Sequence, residues 1–193
     1  MSLEQKFYFG MVASGTSPIA EYALDEENYL DLGLEILEMV NQENPYTISK
    51  KDGKNYYCYT NKNNITFFCV CDESINEETR NRFLRDLEVD WIQQYGNEEV
   101  DFDPYSKDDE FGEVSIKRLI DIYNDPEKYE KLMKVKYNMY KVLKVTMRNI
   151  ELALTRSDNT DSQTQELNER LEQLKSKMDT FSPEDISYFE NIE

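Results

Sequence analysis

The side chain with the most specific chemistry in this sequence is Arg156, because it falls in register with an apolar seam. Counting back from it in alternating steps of three and four gives Ala153, Asn149, Thr146, Val142, Met139, Val135 and Leu132, the a and d positions of a heptad repeat. Counting forward, the seam is polar at Thr160 and Gln163 and then resumes with Leu167, Leu171, Leu174, Met178 and Phe181. Desolvating a guanidinium in such a seam is costly unless it is satisfied. Its planar, many-donor fork suits a ring of carbonyl-type acceptors on neighbouring helices, and one such polar layer can set their register. A long helix with one narrow apolar stripe is stabilised mainly by packing, so the seam implies foreign helices. The competing reading, that Arg156 is a solvated residue on an ordinary helix, is not separated from this one by spacing alone.

Other chemistry is sparse. The sequence has no histidine, no phosphate-cradling glycine loop and no clustered cysteine ligands, so an enzyme, a bound cofactor and a metal centre are not expected. Cys58, Cys69 and Cys71 lie within apolar or aromatic runs, and their odd number without metal-like companions argues for a reducing, cytosolic compartment. The carboxylate runs Asp108-Asp109-Glu110 and Glu98-Glu99 read as solvated surface. With 40 acidic against 22 basic side chains, the formal charge of -18 makes nucleic acid an unfavourable partner. Against that background, the stretch from Lys131 to Ile150 carries Lys131, Lys134, Lys136, Lys141, Lys144 and Arg148 and no acidic residue. It could be attracted to the acidic remainder of the chain, which tethering brings to high effective concentration. It could instead be a solvated face, with Tyr137 and Tyr140 packed in a coiled coil, or a membrane-surface or calmodulin-type amphipathic helix.

The elements that must position these residues follow from periodicity. Phe7 to Ala13 and Ile19 to Leu24 flank the turn-forming Ser14-Gly15-Thr16-Ser17-Pro18 and read as a hairpin. A first helix between Glu26 and Asn41 is marked by Leu30, Leu34, Leu37 and Val40. Three β-type runs follow: Tyr46 to Ser49, Asn55 to Thr60, and Ile65 to Cys71, the last barely alternating and so expected to be covered on both faces. A second helix carries Phe83, Leu87, Trp91 and Tyr95 up to a stop at Gly96, and Asn97 to Asp109 reads as a loop. A third helix is expected from about Glu110 to Tyr123, with Phe111, Val114, Leu119 and Ile120. The fold class is therefore α+β, a sheet sandwiched by helices over residues 1–125. Beyond the Asn124-Asp125-Pro126 boundary the pattern becomes long helix over 126–182, and Pro183 opens a tail over 183–193. No signal peptide or membrane span is expected in the chain as given.

Here the sequence resembles a known family. Met147-Arg148-Asn149-Ile150-Glu151, with Arg156 five residues after Glu151, is similar to the centre of the SNARE motif in vesicle R-SNAREs, where the arginine occupies the ionic layer. Pro104-Tyr105 with Glu110-Phe111, the Ile122-Tyr123-Asn124-Asp125 boundary and the strand–helix order resemble the longin domain of these proteins. The Asn-Ile-Glu triplet most resembles the R-SNARE of traffic between endoplasmic reticulum and Golgi, whereas the Pro-Tyr spacing also matches the longin vesicle-associated membrane proteins of endosomes. The resemblance implies a profilin-like, five-stranded antiparallel longin sheet followed by a SNARE-type coiled-coil segment. It implies Q-SNARE helices of a target membrane as partners and vesicle coat proteins as readers of Asn149, Ile150 and Glu151. It also implies a place on the cytosolic face of secretory-pathway or endosomal membranes, through an anchor absent from this chain, and a closed form in which the longin domain grips the segment. Three features depart from the family: Ser157 replaces the common glycine or aspartate, Ser157 to Gln165 is nearly devoid of apolar residues, and Pro183 interrupts the helix. They leave room for an alternative, a non-fusogenic longin adaptor or tether subunit.

Overall fold

The computed structural model describes residues 5–40, 45–96, 102–156 and 159–192. Asn41, Glu98, Glu99 and Ser157, singled out above, lie outside the described residues. The chain divides into two compact units, Met1–Tyr129 and Glu130–Glu193.

The first unit is a five-stranded sheet in the order β2-β1-β5-β4-β3, antiparallel throughout. Its strands are β1 (Phe7–Ser14), β2 (Ser17–Ala23), β3 (Tyr46–Lys51), β4 (Lys54–Thr60) and β5 (Ile65–Asp72). The β1–β2 hairpin turns at Gly15, whose φ of 56° lies in the left-handed region that glycine tolerates. The unbroken apolar run of β5 is buried from Ile65 to Cys71 because helices cover both faces of the sheet. Phe68 and Val70 point to one layer, with Ile36 and Leu37 of α1 (Leu30–Met39). Phe67, Cys69 and Cys71 point to the other, with Phe83, Leu87 and Trp91 of α2 (Glu77–Tyr95). A β-bulge between Phe7 and Phe9 breaks the alternation of β1. Because of it, Phe7 joins the α2 layer, stacked on Phe83 at 4.4 Å, while Phe9 joins the α1 layer. The three cysteines are free and buried, and burial pushes the Cys58 thiol up to about 12.

The helix limits have local causes. Asn76 Oδ1 accepts from the Thr79 amide at 2.8 Å to open α2, and Gly96, at φ 83°, closes it. The expected third helix is two elements: a π-helix over Asp108–Ile116, then α3 (Lys117–Asn124). Periodicity could not reveal the wider turn, because it is shaped by docking on β2. In the segment before it, the Tyr105 and Lys107 amides donate to the carbonyls of Pro18 and Ile19, and Asp108 Oδ1 accepts from the Glu21 amide. The outer edge of β2 is thereby sealed. Burial and the nearby Asp108 carboxylate hold the Glu21 carboxyl above its ordinary range. Farther along, Asn124 completes the end of β1 as a missing strand would, its Oδ1 accepting from the Phe7 amide at 2.7 Å and its Nδ2 donating to the Phe7 carbonyl at 2.9 Å.

In the second unit, the region expected as one long helix is broken. Pro126 opens α4 (Pro126–Leu154), with Asp125 Oδ1 accepting from the amides of Glu127 and Lys128. α4 ends where Asn159 Nδ2 donates to the Ala153 carbonyl at 2.8 Å. A new helix, α5 (Asp161–Met178), begins with a reciprocal capping box between Thr160 and Gln163. The polar residues that interrupt the apolar seam thus serve as helix terminators. The expected tail is also a helix, α6 (Pro183–Asn191), with Ser182 as its cap and Pro183 in its first turn.

At Gly112 the π-turn runs against β2 so closely that an added Cβ would stand 2.3 Å from the Glu21 carbonyl oxygen. Gly112→Ala is expected to destabilise the first unit by about 1–3 kcal/mol. A lowered urea midpoint at unchanged slope checks this.

Candidate functional site

α4 carries two apolar stripes one residue apart. The seam counted from Arg156 is the exposed one: Val135, Met139 and Val142 are 56%, 54% and 65% exposed, Leu132 and Thr146 are half-buried, and Asn149 is exposed. The stripe displaced by one residue, Met133, Lys136, Tyr140, Leu143, Met147, Ile150 and Leu154, is buried or half-buried throughout. One residue is about 100° of helix rotation, so the two stripes are adjacent faces and one can be covered while its neighbour faces water.

Within the inner stripe, Lys136 and Tyr140 are covered by the C-terminal end of the same unit. Phe189 is fully buried, its ring 5.6 Å from Tyr137, 5.4 Å from Tyr140 and 6.1 Å from Phe181. Tyr140 meets Phe181 edge-on at 6.2 Å, and its hydroxyl donates to Glu190 Oε1 at 3.3 Å. Lys136 Nζ pairs at 2.8 Å with Asp185 Oδ2, whose side chain has no exposure. Lys141 and Lys144 lie over the rings of Tyr137 and Tyr140 at 5.3 Å. Part of the basic stretch is therefore engaged within its own unit.

The C-terminal half of the seam is disposed differently from the N-terminal half. Leu171 and Phe181 are buried, and Leu167, Leu174 and Met178 are half-buried. On the outer face of α5, Lys175 is paired with Glu172, and that hydrogen bond holds the ammonium above its usual range. Arg156 lies two residues past the end of α4, exposed, its amide donating to the Ala153 carbonyl at 3.2 Å. In the Asn149-Ile150-Glu151 triplet, Asn149 and Glu151 are exposed and Ile150 is half-buried, while Ala153 is half-buried as well.

Asp185, Phe189 and Lys136 were not singled out by periodicity. A signal existed in Ser182-Pro183, an N-cap followed by proline at the first helical position, which marks a helix start rather than a tail. Among the described residues no three histidine, cysteine, aspartate or glutamate side chains converge as a metal site, and no helix is long and apolar enough to cross a membrane.

The two stripes differ in what they contribute to the free chain. Tyr140→Ala is expected to destabilise the second unit by about 3–5 kcal/mol, whereas Met139→Ser should leave it within about 0.5 kcal/mol. Denaturation followed by helical circular dichroism distinguishes them, and equal effects would contradict the assignment of faces.

Comparison with known proteins places this geometry. Residues 19–114 match the longin, or regulated-SNARE-like, domain. Vesicle-associated membrane protein 711 of Arabidopsis thaliana is 23% identical over 153 residues, covering 79% of this chain and 69% of that protein. Vesicle-associated membrane protein 724 of the same plant is 24% identical over 186 residues, covering 91% and 84%. Human vesicle-associated membrane protein 7 is 23% identical over 153 residues, covering 79% and 69%. The first unit is thus a longin domain, and the chain as a whole is similar to longin-type vesicle-associated membrane proteins.

Proposed function

We propose that this chain supplies the arginine helix of a four-helix bundle that draws two membranes together, within the SNARE role in vesicle trafficking that its family carries. The observation that supports it is the exposed stripe Val135, Met139 and Val142, in heptad register in the sequence with Arg156, two residues past the end of α4. Apolar side chains at this spacing gain free energy only when other helices cover them. Three glutamine-bearing helices of a target membrane are the proposed partners, with their glutamine oxygens accepting from Arg156. Residues 126–182 form the assembling segment and residues 1–125 the regulatory domain. The Asn149-Ile150-Glu151 triplet supports a step between endoplasmic reticulum and Golgi and recognition by vesicle coat proteins. The names of the relatives support a step served by the longin vesicle-associated membrane proteins. Placing the tagged protein against markers of both compartments separates the two.

The reading is tested by mixing the chain with sets of three glutamine-type SNARE helices. A helical complex should form, and Arg156→Ala should weaken it by about 1.5–3 kcal/mol, the range for hydrogen bonds to a charged group. Absence of a complex with every set would favour the non-fusogenic adaptor or tether, a reading to which the end of α4 at Leu154 and the new helix cap at Thr160 lend support.

Regulation by the longin domain is part of the same proposal. The six basic residues between Lys131 and Ile150 leave -18 - 6 = -24 on the rest of the chain, a field that favours a closed form at low salt. Hydrogen exchange over residues 132–156 is expected to speed up when residues 1–125 are removed. Equal rates with and without them would eliminate the closed form.

A further inference from the structure

We infer that α6 is a clasp that holds the C-terminal half of the assembling segment folded back, so that helix assembly halts near Arg156 until the clasp opens. The inference rests on the SNARE reading above and concerns how that same segment is gated.

The two halves of the seam are in opposite states. Val135, Met139 and Val142 are exposed and are not covered by the clasp. Leu171 and Phe181 are buried, Phe181 against Tyr140 and Phe189 of its own unit, so partners cannot reach them as they stand. Running the seam from Leu132 to Phe181 as one helix requires three local structures to be lost. These are the Asn159–Ala153 bond, the Thr160–Gln163 capping box and the wedge of Phe181 and Phe189 against Tyr140.

α6 makes this fold-back specific as well as apolar. Phe189 fills the space among Tyr137, Tyr140 and Phe181, while the Lys136–Asp185 pair lies beside it with the aspartate fully enclosed. A buried pair of this kind is strongly unfavourable when one partner is removed, and it selects a single register. Lys136 and Tyr140 belong to the inner stripe of α4, so the clasp leaves the outer stripe uncovered. The clasp therefore blocks the second half of assembly while leaving the first half open wherever the longin domain has released it. The polar stretch around Thr160 and Gln163, which weakens the seam, gives the hinge at which the halves part.

The test uses the full chain, with fluorophores at the exposed positions Asn138 and Ser187 and a preassembled acceptor of three glutamine-type SNARE helices. In the free chain the labels should be close. On mixing, engagement of the first half should be fast and separation of the labels slow. Phe189→Ala and Asp185→Lys should each speed the slow phase by roughly tenfold or more without changing the fast phase. Lys136→Glu combined with Asp185→Lys should restore the slow phase, which a general loss of folding would not do. Labels far apart in the free chain would overturn the inference. So would a single phase, or an unaltered slow phase in both single variants while the complex still forms. If labels are close but no acceptor binds wild type or variants, the SNARE reading falls and the gating role with it, leaving α6 as a fold-back element alone.

Discussion

α4 carries apolar side chains over more of its circumference than its own unit covers. Its inner stripe is closed at Lys136 and Tyr140 by Asp185, Phe181 and Phe189, while Val135, Met139 and Val142 of its outer stripe are exposed. A helix can keep such a face exposed only if other interactions stabilise it. Here the aromatic cluster around Phe189 meets that need, which leaves Val135, Met139 and Val142 free for intermolecular use. The functional surface is thus a consequence of how its neighbouring face is packed.

The first unit manages its exposed groups in a different manner. An antiparallel sheet has two edges, each a row of unpaired backbone groups. On the β2 edge, Tyr105, Lys107 and Asp108 occupy the groups of Pro18, Ile19 and Glu21, and the π-helix follows directly from that docking. On the β3 edge, Tyr46 and Ile48 remain exposed, supported by the stacking of Tyr46 on Tyr57 and Tyr59 of the next strand. The bulge at Phe7 and the Asn124 side chain join the two ends of the domain's sequence around the α2 layer. The longin domain is therefore tied together by contacts far apart in sequence, whereas the second unit is built from consecutive helices.

Much of the first unit was legible from residue types. The stripe Phe83, Leu87 and Trp91, the stop at Gly96 and the non-alternating run of β5 each report a local requirement for burial, and each appears where its pattern places it. The π-helix was not legible, because it docks on β2, whose Glu21 carbonyl leaves no room for a Cβ at Gly112, ninety-one residues later in the chain. The opposite orientations of Phe7 and Phe9 were not legible either, since a bulge is decided by the register of β1 against β5.

In the C-terminal segment, residue types by themselves indicated an amphipathic α4, and their spacing put Arg156 in heptad register with Val135, Met139 and Val142 ahead of a polar stretch. A second apolar frame, displaced by one residue (Met133 to Leu154), runs along the same helix, and the seam counted from Arg156 does not say which of the two is buried. The tertiary structure decided which face is buried: Phe189 and the enclosed Asp185 of α6 meet α4 at Lys136, Tyr137 and Tyr140. Burial selects a face by complementarity with distant residues, and that information is absent from any local window of sequence.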